Sequence, residues 1–104
     1  MSHIVQHGGM VYLAGQVADD PSLDFEGQLR QVLDKIDVLL DEAGSSRSKL
    51  LSAMIVLVDM ADFPRLNAIW EAWVPGGSAP ARATIEAKLA NPNNRIEICI
   101  VAAL

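Results

Sequence analysis

The chain has 104 residues, 51% of them hydrophobic and 20% charged, with 13 acidic against 8 basic side chains and a net charge of −5. This length suits one domain, residues 1–104, and the acidic balance without a Lys/Arg cluster argues against a sequence-independent nucleic-acid binder or polybasic membrane attachment. No apolar run approaches the ~20 residues of a spanning helix, no signal peptide is recognised, and a single Cys99 excludes an internal disulfide and a Cys-based zinc cluster. A cytoplasmic location is the expectation. So high an apolar share in so short a chain points to surface hidden against partner subunits.

His7-Gly8-Gly9 is a turn signal, so residues 4–6 predict a short strand paired with a second strand over residues 10–17. Asp19-Asp20-Pro21-Ser22 is a loop, and Ser22 or Asp24 caps the helix that follows. From Phe25, apolar residues recur at Leu29, Val32, Ile36, Leu39 or Leu40, and Ala43, the spacing of an amphipathic helix, which Gly44 ends as a left-handed cap. Residues 49–59 form an apolar strand read as central and buried on both faces. Asp62 caps a second helix with Pro64 in its first turn, and Phe63, Leu66, Trp70 and Trp73 make its apolar stripe. After Pro75-Gly76-Gly77-Ser78, two strands over residues 81–89 and 95–103 are joined by the turn formers Asn91-Pro92-Asn93-Asn94. The order ββ-α-β-α-ββ predicts an α+β layer of two helices on one sheet.

Common catalytic signatures are absent: no phosphate-binding loop, no dinucleotide fingerprint and no nucleophile elbow. His3 and His7, four apart in strand and turn, do not converge on a metal. Cys99, between Ile98 and Ile100 with no cation nearby, reads as a buried inert thiol rather than a nucleophile. The two tryptophans, at helical spacing, read as core packing rather than a ligand-stacking platform.

The last two strands carry more. Period-2 alternation sets Arg82, Thr84 and Glu86 on one face of the first, against Ala83, Ile85 and Ala87, and puts Glu97 with Cys99 and Val101 on one face of the second. A carboxylate on an apolar strand face needs a partner, and an arginine among small residues offers a planar fork to a carboxylate ligand. Two readings stand here: Arg82 and Glu97 serve a ligand, or they pair with each other across a hairpin.

A resemblance bears on that choice. Gly9-Met-Val-Tyr-Leu-Ala-Gly-Gln-Val17, the helix ending Glu42-Ala43-Gly44, Val58-Asp59-Met60-Ala61-Asp62-Phe63, residues 66–73 and Pro80-Ala-Arg-Ala-Thr84 together resemble the Rid family (YjgF/RidA, endoribonuclease L-PSP-like), over Gly9 to Ala103. Arg82 precedes Glu97 by fifteen residues, the family's spacing between its site arginine and glutamate. The resemblance implies a single Rid-like domain of chorismate-mutase-like fold, a homotrimer with sites between subunits, and hydrolysis of small imino or enamino acids to 2-oxo acids and ammonia. By position, Arg82 would hold the substrate carboxylate, Glu97 would position and share a proton with the attacking water, and Gly15 and the Thr84 backbone would line the cleft. Asn67 would brace it at the helix start. No metal or organic cofactor is called for, since a protonated imine carbon is already electrophilic.

This sequence departs from the family's pattern in several places. The residues opening His3-Ile4-Val5-Gln6 offer no counterpart of its Gly-Pro-Tyr segment. Ala14 stands where serine is common and Thr84 where cysteine is common, and Ala-Asn-Pro-Asn-Asn follows Leu89. A carboxylate-binding regulatory module without turnover is the alternative reading; the ribonuclease of the family's older name ranks last, given the acidic charge and the lack of a basic, aromatic strip.

Overall fold

The computed structural model describes residues 1–104. Gly8 and Gly9 have φ of 59° and 76°, the positive pair that a two-residue turn between twisted strands demands. They join β1 (Ile4–His7) to β2 (Met10–Leu13). β2 is shorter than the 10–17 expected. Its pairing stops at Leu13, and only Gln16 returns to the sheet, exchanging backbone hydrogen bonds with Ile98. Gly15 lies in the gap.

α1 (Phe25–Ala43) begins at Asp24, whose carboxylate accepts the Gly27 N–H at 2.8 Å, and ends at Gly44 with φ 82°. Its buried stripe matches the spacing in the sequence, with Leu40 rather than Leu39 turned fully inward and one polar member, Gln28. Beyond it come β3 (Leu50–Leu57), α2 (Phe63–Trp73), β4 (Ala81–Glu86) and β5 (Ile96–Ala103). Pro64 lies in the first turn of α2, where its missing N–H is harmless. Asp62 stands at the cap position without capping; its carboxylate instead accepts from Arg95 Nη2 at 2.8 Å. An arginine fork outbids a backbone amide for a carboxylate.

The five strands form one mixed sheet in the order β1-β2-β5-β3-β4. Only β3 and β4 run parallel, and a parallel pair needs a crossover, here α2. The last two strands are therefore not a hairpin: β3 lies between them. Both helices cover one face. Val11, Leu13, Ala53, Ile55, Leu57, Ile96, Ile98 and Ile100 pack there with Leu29, Ile36, Leu66 and Trp70 in one core. β3 is buried on that face alone, not on both. On its other side Met54 and Val58 are exposed, and Val5, Tyr12, Met54 and Ile85 remain 41–51% exposed across the uncovered sheet. The cause is the two-layer architecture, which gives the sheet no third layer. No helix is long and apolar enough to cross a membrane.

Candidate functional site

Strand register decides where the predicted site residues point. Arg82 is beside Ala53 and Thr84 beside Ile55, and both β3 residues are buried under the helices. Arg82 and Thr84 therefore look toward the helix layer, at the sheet edge. Glu97 is beside Val56 and Cys99 beside Met54, on the uncovered face. Pairing of Arg82 with Glu97 across a hairpin is excluded, because a strand separates them and they occupy opposite faces.

The edge group is built on α2. Arg82 Nη2 donates to Asn67 Oδ1 at 2.7 Å, and the guanidinium carbon stands 5.7 Å from the Phe63 ring and 6.0 Å from the Trp70 ring. Residues 63, 67 and 70 share one helix stripe, so α2 offers ring, amide and ring to a cation within the range of cation–π attraction. Asn67 braces the arginine from mid-helix rather than from the helix start. Arg30, Lys35, Arg47 and Arg95 each pair with a carboxylate, whereas Arg82 has none. One N–H of its five is committed to a neutral amide, which leaves a fixed, charged fork for an anion. Thr84, two residues along, has its Oγ1 buried without a hydrogen-bond partner.

The second group is on the uncovered face. A Cβ at Gly15 would lie 2.8 Å from Glu97 Oε2 and 3.2 Å from Cys99 Sγ, so the carboxylate rests directly on the Gly15 backbone and only glycine leaves it room. Glu97 takes part in no ion pair. Cys99 is half-buried; burial pushes its thiol pKa up, and the charge of Glu97 adds to the shift. A thiol so placed is held protonated, a poor nucleophile. His3 and His7 are exposed, and no three His, Cys, Asp or Glu side chains gather as metal ligands.

Structure thus brings together Arg82, Asn67 and Thr84, and separately Gly15 and Glu97. Of four concavities in the single chain none unites the two groups, and one of them, a shallow one between the early parts of β3 and β4, reaches Arg82. Sequence reasoning missed Phe63 and Trp70 as neighbours of the arginine. The available signal was their place on the same helix stripe as Asn67.

Two helices on one face of a five-stranded mixed sheet, with an unpaired arginine at its edge and a carboxylate on its open face, define the class. The chain belongs to the endoribonuclease L-PSP family, whose model matches residues 1–104. It is 44% identical over 103 residues to a RutC family protein of Haemophilus ducreyi, covering 99% of this chain and 88% of that one. Among solved structures it is similar to an uncharacterized protein of Pseudomonas aeruginosa, with a TM-score of 0.93, 46% identity, and coverage of 97% of this chain and 88% of that one. It is likewise similar to YyfA of Yersinia pestis, a protein of unknown function of the Rid family, with a TM-score of 0.94, 28% identity, and coverage of 100% and 87%.

Proposed function

We propose that the protein is a cofactor-free hydrolytic deaminase of small 2-imino acids and their enamine tautomers, acting at a site that two copies of the chain build together. The observation that supports it best is Arg82, a cation braced by Asn67 and two rings with no carboxylate of its own. Its fork suits the substrate carboxylate bidentately. Because Arg82 and Glu97 look to opposite faces of one sheet, the carboxylate that completes the site comes from Glu97 of a second copy. The exposed apolar side chains of the uncovered face favour such association, with a homotrimer as the assembly.

In this reading Glu97 holds a water against the imine carbon and accepts one of its protons as the C–O bond forms. It returns that proton to the nitrogen of the carbinolamine, and as the C–N bond breaks the freed carboxylate takes the hydroxyl proton and the C=O bond forms. Imino acid and water give 2-oxo acid and ammonia. Both reactants arrive oriented, and the proton moves through a fixed carboxylate. The acidic charge and the lack of a basic strip do not favour the RNA cleavage in the family's name.

The test generates 2-iminobutanoate beside the purified protein and follows ammonia release. Wild type is expected to accelerate it above buffer, while Arg82→Ala and Glu97→Gln lose about 100-fold or more. Binding of 2-oxobutanoate without acceleration would assign the site to a carboxylate-sensing module instead.

A further inference from the structure

We propose that the concavity between α1 and the β1–β2 end of the sheet binds a linear aliphatic amine that carries an ammonium group at each end. Two hydrogen bonds fix α1 against the strand layer at two levels. Lys35 Nζ donates to the Val17 carbonyl at 2.8 Å, and Gln6 Nε2 donates to the Ala43 carbonyl at 3.0 Å. Along this stretch of helix a space of about 460 Å³ stays open, within the range of small-molecule sites. It lies at the other end of the sheet from Arg82 on β4 and is independent of the deaminase reading.

The middle of the space is carbon. Val38 and Leu39 line it, Val38 being 58% exposed although apolar, and the methylene stems of Gln31 and Lys35 border them. Charge stands at the two ends. Asp34 and Glu42 also line the space, eight residues and so ~12 Å apart along α1, and neither belongs to an ion pair. The lysine on the wall is already matched by Asp19 at 2.8 Å, which leaves the negative charge uncompensated.

Gln16 points to a ligand independently of these charges. The residue is 4% exposed and lines the same space. Its Nε2 is spent on the Ala14 carbonyl at 2.9 Å, while its Oε1 accepts from no group of the chain and yet is not closed off. A buried amide oxygen calls for a donor, and an ammonium group offers three. Because Val17 meets Lys35, Gln16 Oε1 and Asp34 serve one end of the ligand and Glu42 the other, with the methylenes laid over Val38 and Leu39. A short diamine reaches one end only, and a monoamine leaves one carboxylate unmatched.

The experiment titrates the purified protein with 1,8-diaminooctane, 1,3-diaminopropane and octylamine at physiological salt, which screens diffuse attraction to an acidic chain. The long diamine is expected to bind once per chain, and the other two at least about fivefold more weakly. Asp34→Asn and Glu42→Gln should each weaken the long diamine about three- to fivefold. Val38→Trp, at an exposed position where the fold tolerates bulk, should weaken it at least as much by filling the space. Glu71→Gln removes the same charge from an exposed position outside the concavity and should leave affinity within about 1.5-fold of wild type. No saturable binding, equal affinity for the three amines, undiminished binding by Val38→Trp, or an equal loss in Glu71→Gln would each overturn the assignment.

Discussion

At Gly15 an added methyl group would stand 2.8 Å from Glu97 Oε2 and 3.2 Å from Cys99 Sγ. The glutamate is the flexible partner, so the displacement falls on its carboxylate rather than on the fold. Gly15→Ala is therefore expected to lower kcat for imine hydrolysis about 10- to 100-fold, with 2-oxobutanoate affinity and melting temperature close to wild type, because Arg82 and Asn67 lie on the other face. Steady-state kinetics and a binding titration check the split; an unchanged kcat would show that Glu97 needs no fixed seat. At this scale much was legible in advance. Alternation along β4 and β5 correctly sorted Arg82 with Thr84 and Glu97 with Cys99, since a strand's two faces follow from its period. The second task of Phe63 and Trp70 was not legible, because an aromatic stripe looks the same in sequence whether it meets a core or a guanidinium.

Gln28 shows how one side chain sets the relation between elements. Fully buried in α1, its Nε2 donates to the carbonyls of Pro21, Leu23 and Asn93 at 3.0–3.1 Å, and its Oε1 accepts the Arg95 N–H at 2.8 Å. The start of α1 is thereby clasped to the segment that delivers β5, and so to Glu97. Gln28→Ala strands these backbone groups without partners and is expected to cost about 2–4 kcal/mol, read as a lower urea midpoint at unchanged m-value. A loss below ~0.5 kcal/mol would mean that the loops satisfy themselves. Element identities were largely open to sequence: α1 declared itself by spacing and caps, and the ββ-α-β-α-ββ order is the observed one. Neighbour relations were harder. Residues 91–94 do turn, with Asn94 N–H donating to Asn91 at 3.1 Å, but the turn sends β5 between β2 and β3, not against β4. Alternation is blind to which strand lies alongside. The strand–helix–strand run from β3 through α2 to β4 is the arrangement that permits parallel pairing.

For the whole molecule, the surplus of apolar residues divides in two. Twenty-two form the buried core, and others, including Val5, Tyr12, Met54 and Ile85, stand on the uncovered sheet. The surplus was visible in composition, but its placement required the strand order and register. A site shared between copies makes a sharp prediction for mixtures. Arg82→Ala and Glu97→Gln, each inactive alone, are expected to regain activity when unfolded and refolded together, at roughly a quarter of the wild-type sites for equal amounts of random mixing. Native mass spectrometry of wild type should show about three chains. Absence of recovery from well-assembled mixtures would mean that no site joins Arg82 of one copy to Glu97 of another.

The opposite facing of Arg82 and Glu97 also bears on symmetry. A contact that joins the arginine side of one copy to the glutamate side of another uses two different patches, so it is heterologous rather than self-complementary. Two copies joined this way complete one site and leave an arginine at one end and a glutamate at the other without counterparts. Only a closed ring matches every donor with a receiver, so catalytic completeness and rotational closure become the same requirement.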